Sequence, residues 1–130
     1  MMLIAGGIFT SQTNKAGLKF SNEGVEMTFA VNYVANFLLS VLLLRSVENG
    51  QGDGKGKGCR IVFLSSTTHD PKWGSNAFAI KKEGHKVLFP EEGVEVLANG
   101  SWQEEGSEGD RFGAALRRYG RAKLCGVLWM

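Results

Sequence analysis

Residues 119–123 read Tyr-Gly-Arg-Ala-Lys, close to the carboxyl end of the chain. Apolar residues recur around this stretch with a helical period, which predicts a helix over residues 110–130 with Asp110 as its cap. On a helix, Tyr119 and Lys123 lie on one face, one turn apart. An ammonium beside a phenol favours the phenolate, so Tyr119 could exchange a proton near neutral pH. The alternative is a core tyrosine beside a solvated lysine, because this spacing also arises by chance.

Composition limits the class of protein. The chain has 130 residues, 43% of them hydrophobic, and a net charge of +2, which predicts one domain and gives no electrostatic case for binding nucleic acid. Eighteen glycines indicate long loops. The two cysteines, Cys59 and Cys125, have no metal-binding spacing and fit a reducing compartment. This spacing predicts no metal site. The amino terminus lacks the basic start of a signal peptide, so we expect a cytoplasmic location.

The amino-terminal run Met1 to Ile4 predicts a short buried strand, and it ends in Ala5-Gly6-Gly7. Small residues at the end of a strand allow another backbone or a ligand to approach closely. An ordinary turn after a strand is the alternative. The polar residues from Phe9 to Phe20 predict a loop.

A helix is predicted to begin near Ser21 or Asn22, which are good caps, and to continue to Glu48. The segment from Met27 to Leu44 carries no charge, so a membrane span has to be considered. Polar residues recur every four positions within it and would form one polar stripe: Asn32, Asn36 and Ser40. Amides inside a bilayer are costly, so we expect a helix buried on most sides in a soluble protein or oligomer.

The second predicted strand, Cys59 to Leu64, follows a glycine-rich loop at residues 49–58. The loop lacks the Walker pattern and precedes a strand, which excludes a phosphate loop. The strand reads as a buried parallel strand and ends in Ser65-Ser66. Polar side chains at that end of a parallel sheet line the ligand crevice, although two serines that merely start a turn are an equal alternative.

Residues 67–109 show no sustained period and predict a long loop. Such a stretch is either a functional lid, here with an apolar underside, or disordered. Its aromatic residues are Trp73, Phe78 and Trp102. Two short edge strands are predicted within it, Val87 to Phe89 and Val94 to Leu97.

The order of these features resembles the short-chain dehydrogenase/reductase family, and most closely its retinol-dehydrogenase-like branch. The similarity is carried by the segments Met27-Thr28-Phe29-Ala30-Val31-Asn32-Tyr33, Arg60-Ile61-Val62-Phe63-Leu64-Ser65-Ser66 and Tyr119-Gly120-Arg121-Ala122-Lys123-Leu124. The resemblance implies an α/β fold, namely the middle strands and helices of a Rossmann-type doubly wound parallel sheet. It also implies NAD- or NADP-dependent chemistry on a small-molecule alcohol or carbonyl.

Roles follow from the resemblance at matching positions. Tyr119 would be the general acid/base, Lys123 would assist it and hold the nicotinamide ribose, and Ser66 would bind the substrate oxygen. Asn32 would support a proton-relay water through the helix backbone. The cofactor-binding set would be Ala5, Gly6, Gly7, Tyr119 and Lys123. The resemblance further implies a homodimer through the helices at residues 21–48 and 110–130.

The chain departs from the family pattern in three respects. It lacks the early glycine-rich turn that binds the pyrophosphate, it has Ala5-Gly6-Gly7 where Asn-Ala-Gly is usual, and it stops close to the Tyr/Lys helix. We therefore expect residues 1–130 to be a partial domain that is inactive by itself. The alternative function is a non-catalytic remnant whose helices bind another subunit; a membrane peptide is the least favoured.

Overall fold

A computed structural model describes residues 2–3, 6–10, 17–49, 61–74, 76, 89–101 and 111–130. In chain order, its elements are strand β1 (Met2–Leu3), helix α1 (Met27–Phe29), a π-helical turn (Ala30–Val34), helix α2 (Ala35–Asn49), strand β2 (Val62–Phe63), a 3₁₀ turn (Thr67–His69), helix α3 (Glu95–Ala98) and helix α4 (Arg111–Trp129). Helix α1, the π-helical turn and α2 follow one another without a break, and together they are called the first helix.

The two strands pair in parallel, with Met2 opposite Val62 and Leu3 opposite Phe63. Parallel neighbours need a crossover connection, and the first helix lies within it, so the parallel arrangement predicted from the sequence is confirmed. Each strand is only two residues long, which is shorter than predicted. The expectation that the second strand is buried is wrong for this chain: Val62 is 48% exposed.

The first helix begins at Met27, not near Ser21 or Asn22 as predicted. Residues 21–25 form a turn, in which Gly24 has a φ of +78° that interrupts a right-handed helix. The cap is instead the side chain of Glu26, whose Oε2 accepts a hydrogen bond of 2.8 Å from the amide of Phe29. A carboxylate here also favours the positive end of the helix.

The predicted polar stripe of the first helix is buried. Asn36 Nδ2 donates to the carbonyl oxygens of Val31 and Asn32, and Ser40 Oγ donates to that of Asn36 at 2.7 Å. Asn36 and Ser40 therefore bond to the backbone of their own helix.

Apolar side chains project from the rest of the first helix in the single chain. Burial of this helix on most sides in a soluble protein or oligomer stays a prediction, because a second subunit would cover these side chains. The exposed ones are Val34, Leu38, Leu39, Val41, Leu42 and Leu44. By length and composition alone, residues 27–44 could cross a membrane, with a mean hydropathy of 1.8 and 28% of the segment buried. A core helix of a soluble protein passes the same test.

Helix α4 matches the predicted helix over residues 110–130 to within one residue at each end. The predicted cap, Asp110, lies outside the described residues. A small core joins this helix to the first helix and to α3, and its buried members are Phe29, Leu97, Ala122 and Cys125. At the far end of α4, the ring of Trp129 packs edge-on against Phe37 and Phe63, with centroids 5.1 and 5.2 Å apart.

The predicted edge strand from Val94 to Leu97 is wrong: residues Glu95–Ala98 form helix α3. A turn precedes α3, closed by a 3.2 Å bond from the amide of Gly93 to the carbonyl of Pro90, and Gly93 has a φ of +95°. The described parts of residues 67–109 also contain the 3₁₀ turn, so this region is not a loop throughout. Phe89 lies in no strand, whereas residues 87–88, Phe78, Trp102 and residues 50–58 lie outside the described part of the chain.

Candidate active site

Lys123 is buried, with 6% of its surface exposed. Its Nζ donates a hydrogen bond of 3.1 Å to the carbonyl oxygen of Leu64, at the carboxyl end of β2. Burial lowers the pKa of the Lys123 ammonium from its ordinary value, because desolvation penalises the charged form. The same Nζ lies 5.5 Å from the centroid of the Tyr119 ring, so the predicted shared face of α4 is confirmed.

Asn32 connects the first helix to the loop after β1. Its Nδ2 donates to the carbonyl oxygens of Gly7 and Thr28, each at 2.7 Å, and its Oδ1 accepts from the amide of Gly7 at 3.1 Å. All three bonds use the side chain, which is 3% exposed. Thr28 holds the same loop two residues further on, through bonds of its Oγ1 with the amide and carbonyl of Phe9.

Gly6 lies between Asn32 and Lys123. A Cβ built on this residue would be 2.5 Å from Asn32 Oδ1 and 3.0 Å from Lys123 Nζ. The absence of a side chain at position 6 therefore allows the Asn32 amide and the Lys123 ammonium both to approach the backbone of Gly6. Four segments of the chain meet here: the loop after β1, the first helix, the end of β2 and α4.

Ser66 lies just beyond β2 and caps the 3₁₀ turn. Its Oγ is 3.3 Å from the amide of Thr68 and 3.0 Å from Thr68 Oγ1. Its carbonyl accepts from the amide of His69 at 3.1 Å and lies against His69 Nδ1, while Ser65 Oγ lies 3.0 Å from that Nδ1. The turn-starting role that the sequence left open for the two serines is thus present for Ser66.

Gly120 seats the 3₁₀ turn directly against α4, one residue from Tyr119. A Cβ at Gly120 would collide with the backbone carbonyl of Thr68. That carbonyl also accepts a hydrogen bond of 2.8 Å from Asn76 Nδ2, which donates to Asp70 O as well. Gly120 therefore allows the 3₁₀ turn, which Ser66 caps, to pack directly against α4 next to Tyr119.

A carboxylate–guanidinium pair links the start of the first helix to α4, and sequence reasoning missed it. Glu26 Oε1 lies 4.0 Å from Arg118 Nε, and Arg118 Nη2 donates to the carbonyl of Gly17 at 3.5 Å. Glu26 is 2% exposed. The position of Glu26 directly before the helix predicted only a favourable charge at the helix start. Its partner, Arg118, lies 92 positions further along the chain, so no local sequence pattern could indicate the pair.

The structure brings together Asn32, Gly6, Gly7, Tyr119 and Lys123 from the predicted set. Ser66 follows Leu64 by two positions along the chain, and its side chain contacts Thr68. Ala5 lies outside the described residues. Within the described part of the chain, no three side chains of His, Cys, Asp or Glu are grouped to hold a metal ion.

Comparison with known proteins identifies relatives of this chain. The chain is 35% identical over 125 residues, 84% of its length, to a protein named short-chain dehydrogenase iccH from Talaromyces variabilis. The chain belongs to the short-chain dehydrogenase family. It is also 39% identical over 61 residues to the chloroplastic short-chain dehydrogenases TIC 32 A and TIC 32 B of Brassica napus.

Membership of this family implies a Rossmann-like fold. The described residues contain one parallel pair, β1 and β2, and the doubly wound α/β sheet expected from the sequence stays a prediction. The chain spans about a third of the fungal relative, 32% of its length, and 19% of each plant relative. No family model matches the chain, and no solved structure matches it.

Proposed function

We propose that this chain carries the proton-transfer residues of an NAD- or NADP-dependent oxidoreductase that acts on a small-molecule alcohol or carbonyl. The observation that supports the proposal best is the position of Lys123: its buried ammonium donates to the end of β2, lies beside Gly6 and faces the Tyr119 ring. A charged group held at the junction of four segments has a high desolvation cost, and such costs are concentrated at functional sites. The family and the site point to the same chemistry.

Tyr119 is the proposed general acid/base. In carbonyl reduction its hydroxyl would give a proton to the substrate oxygen, and in alcohol oxidation its oxygen would take that proton. The nearby Lys123 stabilises the phenolate that remains, because an opposite charge favours the ionised form. Only one of the three Lys123 protons is engaged by Leu64, so the ammonium retains donors for a ligand hydroxyl.

Ser66 and Asn32 have supporting roles in the proposal. Ser66 would donate a hydrogen bond to the substrate oxygen, at the carboxyl end of β2 where parallel sheets bind ligands. The side chain of Asn32 is fully engaged with backbone groups, so it acts by fixing the loop at Gly7. In the proposal the relay water would bind near the backbone carbonyl of Asn32, which accepts a hydrogen bond from Asn36 Nδ2.

The residues present fit the nicotinamide-ribose part of a dinucleotide. Gly6 and Gly7 offer a backbone without side chains next to Lys123 Nζ, and Gly6 is exposed. When bound, the nicotinamide would supply or accept the hydride. Lys123 would hold the ribose hydroxyls, and the nicotinamide ring would lie against the backbone of Gly6 and Gly7. Ala5 is the remaining member of the proposed cofactor-binding set. We propose the retinol-dehydrogenase-like branch on the three sequence segments that carry the resemblance.

Turnover of a panel of aldehydes and ketones with NADPH and NADH tests this function. A partial domain is expected to be inactive by itself, so the comparison applies if the wild-type chain turns over a substrate. Tyr119→Phe should then lower kcat by about 100-fold or more, the size of a lost general acid, while cofactor affinity stays within a factor of about two. Tyr33→Phe is the matched control, because Tyr33 packs against Phe29 and Phe37 on the first helix. Equal turnover by the Tyr119→Phe variant would contradict the proposal.

The same experiment addresses the alternative function. A wild-type chain that neither binds the dinucleotide nor turns over a carbonyl would contradict catalysis by residues 1–130 and favour a subunit that binds through its helices. We propose in either case that the partner is a second copy, since exposed apolar side chains run along the first helix and also occur on α4 at Phe112 and Leu128.

A further inference from the structure

Thr68 lies at the centre of the contacts around Ser66, and nothing in the proposed chemistry uses it. The residue is buried, with 9% of its surface exposed. Its amide lies 3.3 Å and its hydroxyl oxygen 3.0 Å from Ser66 Oγ. Its carbonyl is held by Asn76 and packs against Gly120, so its backbone is fixed in relation to α4.

The hydrogen-bonding capacity of Ser66 Oγ is limited. A serine hydroxyl has two lone pairs that accept and one proton that it donates. The Thr68 amide can only donate, and it occupies one lone pair. If the Thr68 hydroxyl also donates, both lone pairs are filled and the Ser66 proton remains for an acceptor outside the turn.

We propose that Thr68 is a positioning residue: its amide and hydroxyl hold the Ser66 side chain in one rotamer and leave Ser66 able only to donate, toward a substrate carbonyl or alkoxide oxygen. The catalytic consequence rests on the function proposed above. The hydroxyl is needed as well as the amide, because the 3.0 Å contact is the shorter of the two. A water molecule could otherwise occupy the free lone pair and turn the Ser66 proton away.

The test measures the rotamer of Ser66 and turnover separately. Three-bond Hα–Hβ couplings of Ser66 are recorded by NMR on the full 130-residue chain with labelled serine, the signal being assigned from Ser66→Ala. The wild type should show the couplings of a single staggered rotamer. Thr68→Val, which keeps the shape and removes the hydroxyl, should give averaged couplings, and Thr68→Ser should restore the single rotamer.

Thr67→Val is the matched control, because it makes the same change at the neighbouring exposed residue and should leave the couplings unchanged. In carbonyl reduction, Thr68→Val should lower kcat about tenfold with the cofactor KM unchanged, the effect of one misdirected hydrogen bond. Thr68→Ser should recover most of the rate.

The two readouts separate failure of this inference from failure of the proposed function. Unchanged Ser66 couplings in Thr68→Val, or averaged couplings in the wild type, would overturn the role of Thr68 whatever the turnover. Averaged couplings in Thr68→Val alone, together with turnover that Ser66→Ala and Tyr119→Phe leave intact, would confirm that Thr68 orients Ser66 and contradict the oxidoreductase proposal.

Discussion

Single residues without side chains set the closest approaches in this protein. Gly6 admits the Asn32 amide and the Lys123 ammonium on either side of one backbone position. The small residues after the first strand predicted close approach of a backbone or a ligand, with an ordinary turn as the alternative. At Gly6 the structure shows the close approach of two side chains, and the ligand stays a prediction. The partners could not be predicted, since an asparagine on a helix gives no local sign of which distant backbone it will bond.

Gly6→Ala should lower the free energy of unfolding by about 1–3 kcal/mol. The new methyl carbon would lie 2.5 Å from Asn32 Oδ1, so the Asn32 side chain would have to move. Urea unfolding measures the change. Gly74→Ala is the matched control, as a Cβ there meets nothing within 4 Å. Equal stability of the Gly6→Ala variant and the wild type would show that position 6 is not enclosed by these two side chains.

At the scale of elements, the 3₁₀ turn and α4 are in direct backbone contact through Gly120. The sequence predicted α4 accurately because its apolar stripe continues over nineteen residues. The strand predicted for Val94 to Leu97 is wrong, because four residues with apolar alternation suit a strand or a helical turn equally. The turn at Pro90–Gly93 directs the chain into a helix. The sequence also placed the start of the first helix too early, because Ser21 and Glu26 are both able to cap and only the path of the chain selects Glu26.

Two glycines of α4 should respond oppositely to alanine. Gly120→Ala should destabilise the chain by about 1–3 kcal/mol, since the Thr68 carbonyl is backbone and cannot swing aside. Gly126→Ala should be neutral or stabilise by up to about 1 kcal/mol, because a Cβ there meets nothing within 4 Å and alanine is the better helix former. Thermal and urea unfolding of both variants measure the difference. A neutral Gly120→Ala would contradict the seating of the turn on α4.

At the scale of the whole molecule, the polar stripe of the first helix faces inward and much of its apolar surface faces outward. The sequence predicted the stripe from its four-residue repeat, yet it could not show which side the rest of the fold would cover. Leu42 is 64% exposed and Leu38 is 53% exposed. Burial of such side chains against a second copy would stabilise an assembly by roughly 1.5–3 kcal/mol each.

The proposed homodimer should therefore depend on this surface. Leu42→Lys should shift the chain toward the monomer by at least tenfold in dissociation constant, because it places an ammonium in the apolar contact. Sedimentation velocity over a range of concentrations measures the shift. Val94→Lys, an equivalent change at an exposed residue before α3, should leave the mass distribution as in the wild type. A wild-type chain that is monomeric at every concentration would contradict the dimer.

Burial of the Lys123 ammonium depends on the packing of several elements, because the loop after β1, the end of β2 and α4 must meet around it. The pKa of Lys123 is lowered in the folded chain, whereas the unfolded chain has the ordinary value of 10.5. Between these two values the unfolded state binds more protons, so the free energy of unfolding should rise with pH in that window. Lys123→Met should remove this part of the pH dependence.

The most direct measurement is an NMR titration of the Lys123 side chain, followed at Nζ and Cε and assigned from Lys123→Met. This signal should titrate clearly below pH 10.5 in the folded chain and at about pH 10.5 in concentrated urea. A folded-state titration at or above pH 10.5 would contradict the convergence of Gly6, Leu64 and Tyr119 on Lys123, and with it the catalytic site proposed for this chain.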